Sequence, residues 1–444
     1  MLRRTFAAIA VAVSIPAAVL AADYDLASYL AKVEAGNTAV ALARRDLDSA
    51  AQSVVQARSA LLPTVALQGS YKRNLLDLEQ STAVAASAAA VNGVYPLIRQ
   101  EVDTNFDNEL TLALGVNQKI FDAEALARYQ QARTARTLRS QALEATRRAV
   151  RASAKKLYAQ TQLAVSVVSV MESSERTAEE TYRNIERKFK VGLAKELDML
   201  MAEVDWKSRV PKTADARKNA EISLNAFKNL AGLPLSEPVV LTESLAAVPE
   251  LPAAPNLETV LSSRPDYAME VLSGDLADIA RKAAYGSFLP TIGASFSYAR
   301  GGYYGHLSAS DKYEFDTMQL GATVTLPLFT GGYRLSLMET ARIEQEKQSL
   351  KLSQKRRDIE QDLTGLRLRL ETARRGIESA RLVVETAQRA AALSKAAFDN
   401  GLATQLSVSQ ASTNYDQARL GLLNAQYEYR AAYYDWEQAT GSSD

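Results

Sequence analysis

The chain carries one order of segments twice, and any fold must accommodate both copies. The stretch 60-ALLPTVALQGSYKR-73 matches 287-SFLPTIGASFSYAR-300. Further on, 118-QKIFDAE-124 matches 326-LPLFTGG-332, and 189-FKVGLAKELD-198 matches 398-FDNGLATQLS-407. Each half reads as helix, strand, loop, strand, long helix, short Gly turn and return helix. A first repeat over 23–232 and a second over 259–444 are therefore expected, joined by the Pro-rich stretch 233–258, which reads as a linker.

Four strands are expected, at about 64–73, 109–121, 291–300 and 318–329. Their side chains alternate: Leu110, Leu112, Leu114 and Val116 oppose Thr111, Ala113, Gly115 and Asn117, and Leu320, Ala322 and Val324 oppose Gly321, Thr323 and Thr325. Roughly nine to eleven residues is the length of a tilted strand that crosses a bilayer, with small and hydroxylic residues toward water. A half-buried soluble sheet would alternate in the same way. Tyr71, Tyr298, Tyr303, Tyr304, Tyr313 and Phe315 fall near the loop-side ends, where a membrane interface favours aromatic rings. Four strands are too few to close a barrel, so a membrane sheet of this kind must be shared among copies of the chain.

The rest is helical. Leu352, Ile359, Leu366, Ala373, Ala380 and Ala387 recur every seven residues, with Leu363, Leu370, Ile377, Val384 and Ala391 four positions on. Such spacing predicts coiled-coil packing, and the alanines let helix axes approach closely. At about 1.5 Å per residue, the helix expected from Ala123 to Lys190 is roughly 100 Å long. Pro211 is expected to interrupt and kink the return helix of the first half.

Arg3 and Arg4 precede an apolar run from Phe6 to Leu20 and the small-residue stretch 18-AVLAA-22, which reads as a secretory signal over 1–22. With no cysteine, neither a disulfide, a thiolate metal site nor a lipidated N-terminal Cys is available. A formal net charge of +1 gives no argument for nucleic acid as a partner. No catalytic motif is present, so no enzyme activity, cofactor or metal is expected. The lone His306 cannot build a metal triad, Met199 and Met201 read as packing, and the seven-residue spacing within 427-YEYRAAYYDW-436 favours helix packing over a ligand stripe.

Several short motifs, in order and twice over, carry a resemblance. They are Leu62-Pro63-Thr64 and Leu289-Pro290-Thr291, Arg264-Pro265-Asp266, LPLFTGG at 326–332, and the turns 191-VGLA-194 and 400-NGLA-403. In these the chain resembles the TolC family of outer-membrane efflux ducts, in its unlipidated branch. The resemblance implies a mainly α chain with membrane β: a long α-helical coiled-coil barrel, and four β-strands contributing to a twelve-stranded outer-membrane β-barrel of a homotrimer. It implies a passive duct of a tripartite efflux or type I secretion system in the outer membrane of a Gram-negative bacterium. Its partners would be outer-membrane lipid, a periplasmic adaptor (membrane fusion) protein and, through it, an inner-membrane pump of the RND or ABC type. The alternative is a structural, periplasm-spanning protein without transport, against which the hydroxylic strand face speaks.

The same resemblance assigns sites. Val191, Gly192, Leu193 and Ala194, with Asn400, Gly401, Leu402 and Ala403, would be the tips that meet the adaptor. Asp198, six residues after Gly192, matches an acidic gate position, with Glu196 beside it. Where the family's familiar gate pattern has other side chains, this chain has Phe398 and Ala403 around the second Gly and Ser407 and Gln410 after it. Its resting gate must therefore be held differently.

Overall fold

The computed structural model describes residues 22–75, 80–85, 97–102, 107–305 and 312–441. The expected signal segment and His306 lie outside the described residues, apart from Ala22 at the start of the first strand. The chain forms two compact units, one of 1–47, 139–270 and 351–444, the other of 48–138 and 271–350.

The second unit is built on an antiparallel sheet. Its strands are β2 (Thr64–Arg73), β5 (Asn108–Phe121), β7 (Thr291–Tyr304) and β8 (Lys312–Thr325), in the order β2-β5-β7-β8. Register places Leu67, Leu114, Tyr298 and Met318 in one row, and Val65, Val116, Phe296 and Leu320 in another. Partners in a row share a face, so the strand leucines, Phe296 and Met318 form one apolar surface. On the central strand β5, Leu112 is 53% exposed whereas Thr111, Ala113 and Gly115 are half-buried. A soluble sheet would bury the leucines; this one shows them. Two further strands, β3 (Gln80–Ala85) and β4 (Leu97–Val102), pair with each other within the loop between β2 and β5, and β1 (Ala22–Tyr24) and β6 (Val239–Leu241) pair in the first unit.

Two strand expectations are corrected. The third strand runs on to Tyr304, and the fourth lies at 312–325, not 318–329. Pro327 has no N–H to continue a ladder, and its carbonyl is instead taken by Arg334, whose Nη1 also donates to the Ser287 carbonyl at 3.0 Å. The aromatic expectation divides as well. Tyr71, Tyr298 and Tyr304 share the face of the leucines, whereas Tyr303, Tyr313 and Phe315 lie on the opposite face, because odd and even positions of a strand point oppositely.

The strand β5 passes into helix α3 (Ala123–Lys190) through Asp122, whose carboxylate accepts from the Glu124 and Ala125 N–H groups at 3.0 Å and binds Lys119 at 2.6 Å. A charged cap at this point ends the alternation and starts the helix. The other helices are α1 (Leu26–Gly36), α2 (Thr38–Ser59), α4 (Glu196–Leu230), α5 (Leu257–Ser263), α6 (Pro265–Gly286), α7 (Tyr333–Asp399) and α8 (Gln405–Thr440). None is long and apolar enough to cross a membrane among the described residues, which says nothing of the strands.

The first unit gathers part of its apolar side chains into buried clusters. Leu370, Ile377, Tyr429, Ala432 and Trp436 of α7 and α8 form one cluster, on heptad positions. Another joins Tyr24, Tyr29, Tyr158 and Phe227, with Tyr29 stacked on Phe227 at 3.8 Å and Tyr158 donating to the Tyr24 carbonyl at 2.9 Å. The segment 233–258 is more than a linker. It carries β6, sets Val248 and Leu251 against the α7/α8 cluster, and offers the Pro249 carbonyl to Tyr429 and the Ser244 and Ala247 carbonyls to Arg430. Prolines keep it out of helix while its carbonyls remain free to accept. Pro211 does not interrupt α4 either: the helix runs on past it, with buried Arg209 bonded to Asp416 of α8 on one side and Thr213 donating to the Arg209 and Met171 carbonyls on the other.

Candidate docking tips and gate region

Both tips close by one device. The Gly192 N–H donates to the Phe189 carbonyl at 2.8 Å and Leu193 N–H to Lys188 at 2.8 Å; Gly401 donates to Phe398 at 2.9 Å and Leu402 to Ala397 at 2.8 Å. The glycines sit at φ 74° and 76°, the left-handed geometry that ends a helix in a Schellman turn. Both are therefore required by the turn itself. The side chains that follow are bare: Leu193 is 78% exposed and Leu402 84%. Val191 is exposed as well, and Ala194 and Ala403 are half-buried. Near the tips Lys188 donates to Asp399 at 3.5 Å, joining the ends of α3 and α7 through two half-exposed side chains. A pair so exposed contributes little stability.

The expected gate residues divide. Glu196 is exposed and Asp198 half-buried in the first turn of α4, where acidic side chains favour the positive end of the helix and where Lys195 supplies no side-chain cap. Ser407 is engaged by Thr404, which accepts from its N–H at 3.3 Å and lies 3.0 Å from its hydroxyl. Gln410 donates to Asn414 at 2.9 Å on its own helix, and Phe398 is half-buried at the end of α7.

Sequence reasoning missed the strongest polar contact between the hairpins. Arg209 of α4 donates to Asp416 of α8 at 2.6 Å, and Ser174 of α3 donates to the same carboxylate oxygen at 2.6 Å and also touches Arg209. Asp205 approaches the guanidinium at 3.3 Å. Both Arg209 and Asp416 are buried, so each desolvated charge depends on the other. Three helices are locked together at one point. Local pattern gave no signal, since Arg and Asp on charged helices read as solvated and the partners lie 207 positions apart.

Arg264-Pro265-Asp266 also has a definite task. Asp266 accepts two bonds from Arg264, at 2.9 and 2.8 Å, and one ion pair from Lys355 at 2.8 Å, while Arg264 reaches the Ala439 carbonyl at 3.3 Å. Burial pushes the Asp266 carboxyl up, but the bonds and charges of Arg264 and Lys355 outweigh it and hold it well below the usual carboxylate range. The motif ties α5, α6, α7 and the end of α8.

Comparison with known proteins decides the identity. The profile of the outer membrane efflux protein family matches residues 29–233 and 256–442. The chain belongs to the outer membrane efflux protein family. It is 24% identical over 407 residues to the outer membrane protein TolC of Vibrio cholerae, covering 89% of this chain and 85% of that one. To the alkaline protease secretion protein AprF of Pseudomonas aeruginosa it is 23% identical over 385 residues, 85% and 76% of the two chains. The crystal structure of the Campylobacter jejuni CmeC outer membrane channel shares its fold at a TM-score of 0.76 and 18% identity, over 94% of this chain and 87% of that one. As a family member the chain is a mostly helical outer-membrane duct of an efflux or secretion system in a Gram-negative envelope. That is the role the sequence implies.

Proposed function

We propose that three copies of this chain join their sheets into one twelve-stranded barrel and their helices into one tube, each copy being two repeats of a common unit. Among the described residues the sheet ends in two edge strands, β2 and β8, and its central leucines are exposed. Unpaired edges and an apolar face are unstable in water and in lipid alike; pairing β8 of one copy with β2 of the next satisfies the edges, and lipid covers the face. The face with Thr111, Ser297, Gln319 and Thr323 then lines water. The exposed, apolar face of β5 is the observation that carries this reading.

The tips meet a periplasmic adaptor through Leu193 and Leu402, whose side chains find no packing within the chain. The adaptor links the duct to an inner-membrane pump of the RND or ABC type, and cargo selection belongs to that pump. Asp198 and Glu196, with Phe398, Ser407 and Gln410, narrow the periplasmic mouth, and the Arg209–Asp416 lock fixes the hairpins above it. The signal segment is removed by cleavage near Ala21 or Ala22, and the pairing of Ala22 with Val239 favours a mature chain that keeps Ala22. Reconstitution in a planar bilayer tests the channel: discrete conductance steps are expected from the trimer, and an inserted trimer that carries no current would contradict it.

A further inference from the structure

At the loop end of the sheet, the face opposite the leucines carries a feature that a passive duct does not require. Lys72, Glu109, Tyr303 and Tyr313 are successive partners in one row across the four strands, and Ser70, Thr111, Gly301 and Phe315 form the neighbouring row. The ring of Tyr303 lies 5.4 Å from that of Phe315, at 35°, and 6.3 Å from that of Tyr313, at 30°. The cluster is built into the backbone. A Cβ at Gly301 would fall 2.6 Å from Phe315 Cζ and 2.8 Å from the Leu110 carbonyl oxygen, so only a residue without a side chain leaves room for this ring. Tyr71 and Tyr298 stand on the other face and serve a lipid boundary; these three rings do not.

We propose that Tyr303, Tyr313 and Phe315 form a transit subsite for aromatic organic cations, one per chain, at the outer end of the lumen. The proposal rests on the barrel reading, which turns this face toward the pore. Aromatic faces present negative potential and attract cations, and they stack on flat rings. Charge nearby does not oppose this: Lys72 Nζ is held 3.4 Å from Glu109 Oε2, a pair neutral overall in the row of Tyr303, so the ring faces themselves set the preference for cations. Tyr313 is 60% exposed, which leaves the subsite open on the water side and binding weak enough for release.

Single-channel recording of the reconstituted trimer tests this with two flat probes of similar size, the cation 1-methylquinolinium and the anion 1-naphthalenesulfonate. The cation is expected to produce brief blocks that the anion does not. Tyr303→Ala and Phe315→Ala should each shorten the blocked time roughly five-fold, on the scale of a half-exposed cation–π contact. Tyr303→Phe should retain it, and Tyr298→Ala, on the opposite face, should leave it unchanged. Trimer yield in detergent confirms that each variant assembles. A conducting pore that the cation does not block, equal block by both probes, or unchanged block in Tyr303→Ala and Phe315→Ala overturns the subsite. An inserted trimer without conductance overturns the pore reading and the subsite with it, a result distinct from a pore that conducts but is not blocked.

Discussion

Leu320 of β8 is 84% exposed and Leu370 of α7 fully buried, and the two belong to one chain. In the helical unit the apolar side chains find one another: Leu370 and Ile377 close on Tyr429 and Trp436, and even a charged pair, Arg209–Asp416, is taken inside. In the sheet the leucines of β2, β5 and β8 stay exposed. Hydrophobic burial gathers into clusters within the chain in one region, although Leu382 and Leu393 stay exposed there, and waits for a different solvent in the other. A single sequence is thus written in two patterns, heptads that turn inward and alternating strands that turn outward.

Within the helical unit, the largest loss of stability is expected at the buried lock. Asp416→Ala leaves Arg209 charged and desolvated with only the longer ion pair to Asp205, at 3.3 Å, and should destabilise the helical unit by about 3 kcal/mol. Arg209→Met with Asp416→Leu should cost less, because the one charge then left without its partner, Asp205, is 18% exposed and can turn to water. Thermal melts followed by helical circular dichroism measure both; equal losses in the single and double variants would mean that shape, not charge, holds the three helices.

On the sheet, Leu114→Arg and Leu320→Arg, on the apolar face in the middle rows of β5 and β8, should each cost about 2–4 kcal/mol near mid-membrane. Thr111→Arg and Thr323→Arg, on the opposite face, should still assemble. The readout is the fraction of chain recovered as heat-modifiable trimer from the outer membrane. Similar recovery from both pairs would reverse the assignment of faces.

Smaller effects come from acid. The Asp266 carboxyl titrates lower in the folded chain than in the unfolded one, so the stability it gives is present above the unfolded value of about 3.9 and is lost as pH falls toward the folded value. Asp266→Asn should cost roughly 1 kcal/mol at neutral pH, discounted for solvent screening of a side chain 34% exposed, and should flatten the acid limb of the stability curve. Denaturation midpoints from pH 3 to pH 7 show this. A variant curve parallel to the parent would remove Asp266 from the acid response.

Smallest in stability, and large in function, are the tips. Leu193→Glu and Leu402→Glu touch nothing in the chain and should leave the melt within about 0.5 kcal/mol. They should nonetheless reduce export in a complemented deletion strain and weaken co-purification of the adaptor. Replacing Gly192 or Gly401 would be less informative, since φ 74° and 76° strain any other residue. Normal export by both Leu variants would leave the tips without a docking role.

Some of this was legible in the sequence and some was not, for physical reasons. Alternation at Leu110, Leu112 and Leu114 repeats over short range, and so do the heptads through Ile359 and Leu366; a period shows itself within a window. The turns at Gly192 and Gly401 are local too. The lock of Arg209, Ser174 and Asp416 depends on three helices meeting, and no window contains it. Segment 233–258 is docked by carbonyls that any residue could supply, as those of Ser244 and Ala247 show, so its prolines read only as a break. The divided aromatics were visible as a cluster but not by face, because the register across β7 and β8 decides which rings meet.

If the exposed sheet is one third of a closed barrel, its edge strands meet those of neighbouring copies, and a sequence without cysteine allows engineered pairs to report that contact. A panel of paired substitutions, one on β2 such as Ala66→Cys and one on β8 such as Thr323→Cys, can be oxidised in intact outer membranes and separated under denaturing, non-reducing conditions. For the in-register pairs, linked species of two and then three chains are expected, ending at three. Disulfides confined within single chains, or a ladder that runs past three, would contradict the trimeric barrel.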